Sequence, residues 1–110
     1  MNVAINNKNK WEVPAYDISL WTYKKHDACI VIPVINEGER IISLLNKMKQ
    51  ININQIADII IVDGGSTDGS LETGRLLDLN VSGLLLKTGS GKLSSQLRCG
   101  YAFALEIGRA

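Results

Sequence analysis

The chain has 110 residues, with 12 Lys and Arg against 11 Asp and Glu, for a formal charge of +1. That balance excludes a nucleic-acid or anionic-membrane surface held by bulk charge, which needs a basic excess or a clustered basic face. Hydrophobic residues at 45% and charged residues at 21% exclude wholesale disorder, and the length allows one small domain or a piece of a larger one.

Residues 1–27 lack a regular period but hold Trp11, Tyr16, Trp21 and Tyr23. Such an aromatic-rich arm is expected to pack irregularly over the edge or back of the domain that follows, with a partner-binding arm as the alternative. From Ala28 the pattern is orderly. Ala28 to Val34 is an apolar, largely β-branched run that suits a strand buried on both faces. Asn36, with Glu39 three residues on, has the spacing of a capping box. The helix after it carries Ile41, Leu44, Leu45 and Met48 on one stripe. A second buried strand, Ile59 to Val62, stops on Asp63, and Gly64-Gly65-Ser66-Thr67-Asp68-Gly69 turns the chain into a helix over Ser70–Leu79. Gly74 weakens that helix and would let it approach the sheet closely. Val81 to Lys87 is a third apolar run, and Gly89-Ser90-Gly91 leads to a helix from about Lys92 to Gly108. Its stripe Leu93, Leu97, Tyr101 and Ala104 is expected to face the core.

The order β-α-β-α-β-α, with short crossovers, predicts an α/β fold with a doubly wound parallel sheet over residues 28–110. Cys29 and Cys99 show no CxxC spacing and His26 stands alone, so two core thiols in a reducing compartment are expected rather than a disulfide or metal site. The opening MNVAINNKNK is polar, and no apolar run approaches the ~20 residues of a membrane-spanning helix. A cytoplasmic location follows as an expectation.

Ligands of such sheets bind beyond the carboxyl ends of the strands. There stand Asn36-Glu37, Asp63-Gly64-Gly65-Ser66 and Gly89-Ser90-Gly91-Lys92. Carboxylates accept hydrogen bonds from ribose hydroxyls and base N–H groups, glycines admit a ligand to the main chain, and helix N-termini favour anions. A nucleotide is the expected ligand. The dinucleotide motif fails because Ser94 takes its third glycine position, and the Walker A pattern fails at Leu86 and Leu93.

The segment Ile30-Val31-Ile32-Pro33-Val34-Ile35-Asn36-Glu37, then Ile59-Ile60-Ile61-Val62-Asp63-Gly64-Gly65-Ser66-Thr67-Asp68-Gly69-Ser70, resembles the start of a family 2 glycosyltransferase of the Rossmann-like GT-A fold. It is similar to the branch of dolichyl-phosphate mannose synthase-like enzymes. The stretch from Gly89 through Ala102 resembles the family's glycine-rich turn and following helix. The resemblance implies a UDP- or GDP-linked sugar donor and an acceptor that the sequence does not specify. It places Pro33, Ile35, Asn36, Glu37, Asp63, Gly64 and Gly65 at the nucleotide; Lys92, at a helix start near the pocket, and Arg98 are candidates for phosphate contact, with a solvated surface as the plain alternative for each. Ile35 stands where the family has a tyrosine, and Gly64 where it has a second aspartate. For Asp63 and Glu37 the plainer alternatives are turn-forming and support of a helix dipole; Asp68 is expected to shape the turn.

The resemblance also implies a divalent cation, Mg or Mn, held by an acidic motif on a later strand. The chain ends at Gly108-Arg109-Ala110, where that strand is expected to begin. It therefore reads as the nucleotide-binding half of a glycosyltransferase, inactive alone. The alternative is a non-catalytic nucleotide-binding or interaction module of α/β fold.

Overall fold

The computed structural model describes residues 15–89 and 93–109. In chain order it contains β1 (Tyr16–Trp21), β2 (Cys29–Val34), α1 (Glu39–Gln50), a 3-10 turn (Ile53–Gln55), β3 (Asp58–Asp63), α2 (Thr73–Asp78), β4 (Gly83–Lys87) and α3 (Leu93–Arg109). The strands form one sheet in the order β1-β4-β3-β2. The pairs β2–β3 and β3–β4 are parallel, as the short crossovers require, whereas β1 runs antiparallel to β4.

Every residue of β3 is buried, which is why its sequence is a continuous apolar run without alternation. Ile59 and Ile61 meet α1 and α2 on one face through Ile41, Ile42, Leu45, Met48 and Leu76. Ile60 and Val62 meet α3 on the other face through Cys99 and Phe103. Helices on both faces make the sheet doubly wound, as predicted. The second core closes with Trp21 of β1 edge-on to Phe103, ring centroids 5.1 Å apart. Neither cysteine forms a disulfide; Cys99 is buried and Cys29 half-buried. Burial raises the pKa of each, so both stay protonated near neutral pH.

Among the described residues the sheet ends at β2. Asp58 N–H donates to the Ala28 carbonyl and Gly64 N–H to the Val34 carbonyl. The backbone N–H and C=O groups of even-numbered residues of β2 thus point at β3, and the backbone of Cys29, Val31 and Pro33 points at the open edge. Pro33 lacks an N–H and sits where the ladder needs none.

Several local expectations shift. The arm is not irregular throughout, because Tyr16–Trp21 is an edge strand with a register shift between Ile18 and Leu20. Helix α1 buries Ile42 in place of Leu44, which is 44% exposed. Helix α2 is shorter than expected and capped by Glu72, whose side chain accepts from Arg75 N–H. Gly74 is exposed, and a Cβ there would lie against the Glu72 carboxylate rather than the sheet, so it brings no close approach to the sheet. In α3 Leu93 and Tyr101 are exposed, and the inward row is Gln96, Cys99, Gly100 and Phe103. A side chain at Gly100 would collide with Val31, and that close approach turns this row toward the sheet.

Candidate functional site

The ladder between β2 and β3 closes with the Gly64-to-Val34 hydrogen bond at 2.8 Å, and the two chains then separate into rim loops. Asn36 adopts a left-handed backbone with φ 47°, a conformation asparagine tolerates. Its N–H donates to Ser66 Oγ at 2.9 Å, and its Oδ1 accepts from Thr67 N–H at 2.8 Å. Two residues on, Gly38 N–H donates to Asp68 Oδ2 at 3.1 Å. These bonds lock the loop after β2 to the loop after β3.

Asn36 is therefore not a helix cap. The N-cap of α1 is Gly38, with no side-chain cap, and Asn36 instead satisfies a backbone group on the other loop. Asp63 organises its own loop: Oδ1 accepts from Gly65 N–H at 2.9 Å and Ser66 N–H at 2.7 Å. That Asx turn is the plainer role foreseen for it, and it occupies two of a carboxylate's roughly four acceptor positions. Gly65 follows at φ 114°, where a side chain would be strained. Asp68 Oδ1 accepts from the Ser70 hydroxyl at 2.6 Å and from Ser70 N–H at 3.0 Å. The Ser70 bonds, with the Gly38 bond, hold the Asp68 carboxyl below its ordinary range, and Asp68 shapes the turn as expected.

These bonds correct one expectation. The rim amides of Asn36, Gly38, Gly65, Ser66, Thr67 and Ser70 are not bare donors for an anion; each donates to a side chain of the rim itself. Gly89 N–H likewise donates to the Ala15 carbonyl. Polar contact with a ligand then falls to side chains rather than to the main chain.

Glu37 pairs with Arg40 at 3.0 Å, and both border a groove of about 210 Å³ with Pro33, Ile41 and Leu44. Asp63 is not among the residues that line that groove. Ile35, 51% exposed, stands at the exit of β2. Gly64 lies beneath the carboxamide of Gln96. Arg98, in the second turn of α3, donates Nη2 to Ser95 Oγ at 3.2 Å, and its Nε is buried without a partner. Lys92 lies outside the described residues.

A hollow of about 600 Å³ lies at the opposite, amino ends of β2 and β3, lined by Lys24, Lys25, His26 and Gln55. Its basic side chains are engaged: Lys24 with Asp27 at 3.3 Å, Lys25 over the Tyr23 ring, and His26 Nε2 with the Asn54 carbonyl at 2.7 Å. The carboxyl rim remains the candidate site.

Sequence reasoning missed Gln96, which donates Nε2 to the carbonyls of Val34 and Val62, each at 3.0 Å. The available signal was a polar residue in helical register with Cys99, Gly100 and Phe103. Among the described residues no three His, Cys, Asp or Glu side chains gather to hold a metal, so the divalent cation implied by the resemblance has no fitting ligand set there. Nor is any described helix long and apolar enough to cross a membrane.

An open, mainly parallel sheet flanked by helices, with side chains converging on loops beyond its strand ends, defines a doubly wound α/β protein. Within that class the assignment is narrower: the model of the family described as Glycosyl transferase family 2 matches residues 29–105, most of the chain, and the chain belongs to that family. Neither the curated proteins nor the solved structures yield a match.

Proposed function

We propose that this chain supplies the donor-nucleotide platform of a glycosyltransferase that moves a sugar from a UDP- or GDP-linked donor to an acceptor. The observation that carries the reading is the locked pair of rim loops, which holds Asn36, Glu37 and Asp63 at the carboxyl ends of adjacent parallel strands. Family membership supports a nucleotide-sugar donor in general terms. In this reading Pro33 and Ile35 give apolar contact to the base. Asn36, Glu37 and Asp63 accept from base or ribose, Gly64 and Gly65 let the ligand approach, and Lys92 and Arg98 are the candidates for diphosphate contact. The dolichyl-phosphate mannose synthase-like branch and a cytoplasmic location belong to the same proposal.

Calorimetric titration of UDP, GDP and their sugar conjugates tests it. One nucleotide series is expected to bind. Asp63→Asn keeps an oxygen for the Gly65 and Ser66 amides but removes the charge, and is expected to weaken binding about 10- to 100-fold, the worth of a charged hydrogen bond of about 1.5–3 kcal/mol. Absence of binding by every member of the panel would favour the interaction-module alternative.

A further inference from the structure

We propose that Gln96 is a positioning residue for the donor site, acting as a clamp across the ends of β2 and β3; the functional part of this inference rests on the donor reading above. Gln96 is 6% exposed, and its Nε2 donates to the Val34 and Val62 carbonyls at 3.0 Å each. A primary amide nitrogen carries two hydrogens, one for each carbonyl. The opposite orientation of the amide would set an oxygen against two oxygens, so the donor assignment follows from chemistry. The clamp sits where the ladder gives out. One bond further along, Asn36 N–H has left the sheet for Ser66 Oγ, and Asp63 has turned to its own loop. There a side chain from α3 joins the Gly64-to-Val34 bond in tying the two strand ends together, directly before Asn36, Glu37 and Asp63.

Gly64 is the second half of the device. A Cβ at that position would meet the Gln96 carboxamide at 3.1 Å from Cδ and Nε2 and 3.2 Å from Oε1. The amide and any side chain at position 64 therefore compete for one space. In this chain the space goes to a neutral donor that ties the strands together, and Asp63 stands as the lone carboxylate of that strand end. Small displacements of contact groups carry large losses in binding and rate, so a residue that sets strand separation controls the site without touching the ligand.

The test uses the full chain, with UDP and GDP as probes, and compares wild type with Gln96→Glu, Gln96→Ala, Gly64→Ala and the double variant Gly64→Ala/Gln96→Ala. A carboxylate at 96 faces two carbonyl oxygens. Gln96→Glu is therefore expected to lose nucleotide affinity at least tenfold near pH 8, and to regain much of it near pH 5, where a buried carboxyl holds its proton and donates again. Gly64→Ala is expected to weaken binding alone and to add nothing once Gln96 is alanine. Affinity of Gln96→Glu that matches wild type at both pH values overturns the proposal, as does full additivity of the two alanine changes. Amide hydrogen exchange keeps the clamp separable from the donor reading. Gln96→Ala is expected to speed exchange at Gly64, Gly65 and Ser66 at least tenfold while Ile60 and Ile61 hold. Uniform acceleration along β3 would reduce Gln96 to an ordinary core residue. If wild type binds neither nucleotide yet the local acceleration is present, the donor reading falls and the clamp stands.

Discussion

Asp68 shows how one carboxylate serves two loops. It accepts from Ser70 in its own turn and from Gly38 across the rim, and these bonds lower its pKa from the ordinary 3.8. A depressed folded-state value contributes stability that is fully present above the ordinary value and is lost as the pH falls through the folded one. Thermal melts are therefore expected to show the rim lock weakening below about pH 4 in wild type, with a shallower acid dependence in Asp68→Asn. An identical acid profile in the two proteins would remove Asp68 from the lock. The turn chemistry of Asp63 and Asp68 was readable because their partners lie two or three residues away. Asn36 was misread as a cap because its partner, Thr67, lies 31 residues away. Local spacing satisfied the capping-box pattern, and a distant loop took the side chain.

Helix α1 makes the limit of periodicity concrete. A row through Ile41, Leu44, Leu45 and Met48 and one through Ile41, Ile42, Leu45 and Met48 both suit 3.6 residues per turn, and the angle at which the helix meets the sheet selects the second. Leu45, fully buried, is expected to lose about 2–5 kcal/mol of stability on change to alanine, whereas Leu44→Ser is expected to stay within about 0.5 kcal/mol. Urea unfolding of both variants measures the contrast, and comparable losses would contradict the observed rotation of the helix. In α3 the same ambiguity was resolved by Gly100, whose missing side chain lets the helix approach Val31 and Val62. Stripe analysis counts apolar residues and so passed over a glycine and a glutamine on the buried side.

Strand β3 joins the two cores, with Ile59 and Ile61 on one face and Ile60 and Val62 on the other. Damage on either face is thus expected to reach the other. Ile61→Ala, on the face away from Trp21, should lower the fluorescence midpoint of unfolding together with the circular-dichroism midpoint, for a loss of about 2–5 kcal/mol. Two separated midpoints would mean that the faces unfold independently. Strand β1 had a readable signal in the alternation of Tyr16-Asp17-Ile18-Ser19-Leu20. Its pairing with β4 links segments far apart in the chain, and the register shift after Ile18 interrupts the pattern.

Apolar runs, helical rows and turn residues were enough to establish three strand-helix units and their parallel pairing. Each of those signals acts between near neighbours along the chain, so one dimension suffices to read it. The bonds that lock the loop after β2 to the loop after β3, and the clamp of Gln96, emerged only once the chain was folded. These cross-loop and clamp hydrogen bonds span from 30 residues, between Asn36 and Ser66, to 62, between Gln96 and Val34. Such partners meet because the sheet and its helices bring them within about 3 Å, and spacing along the chain carries no record of that meeting.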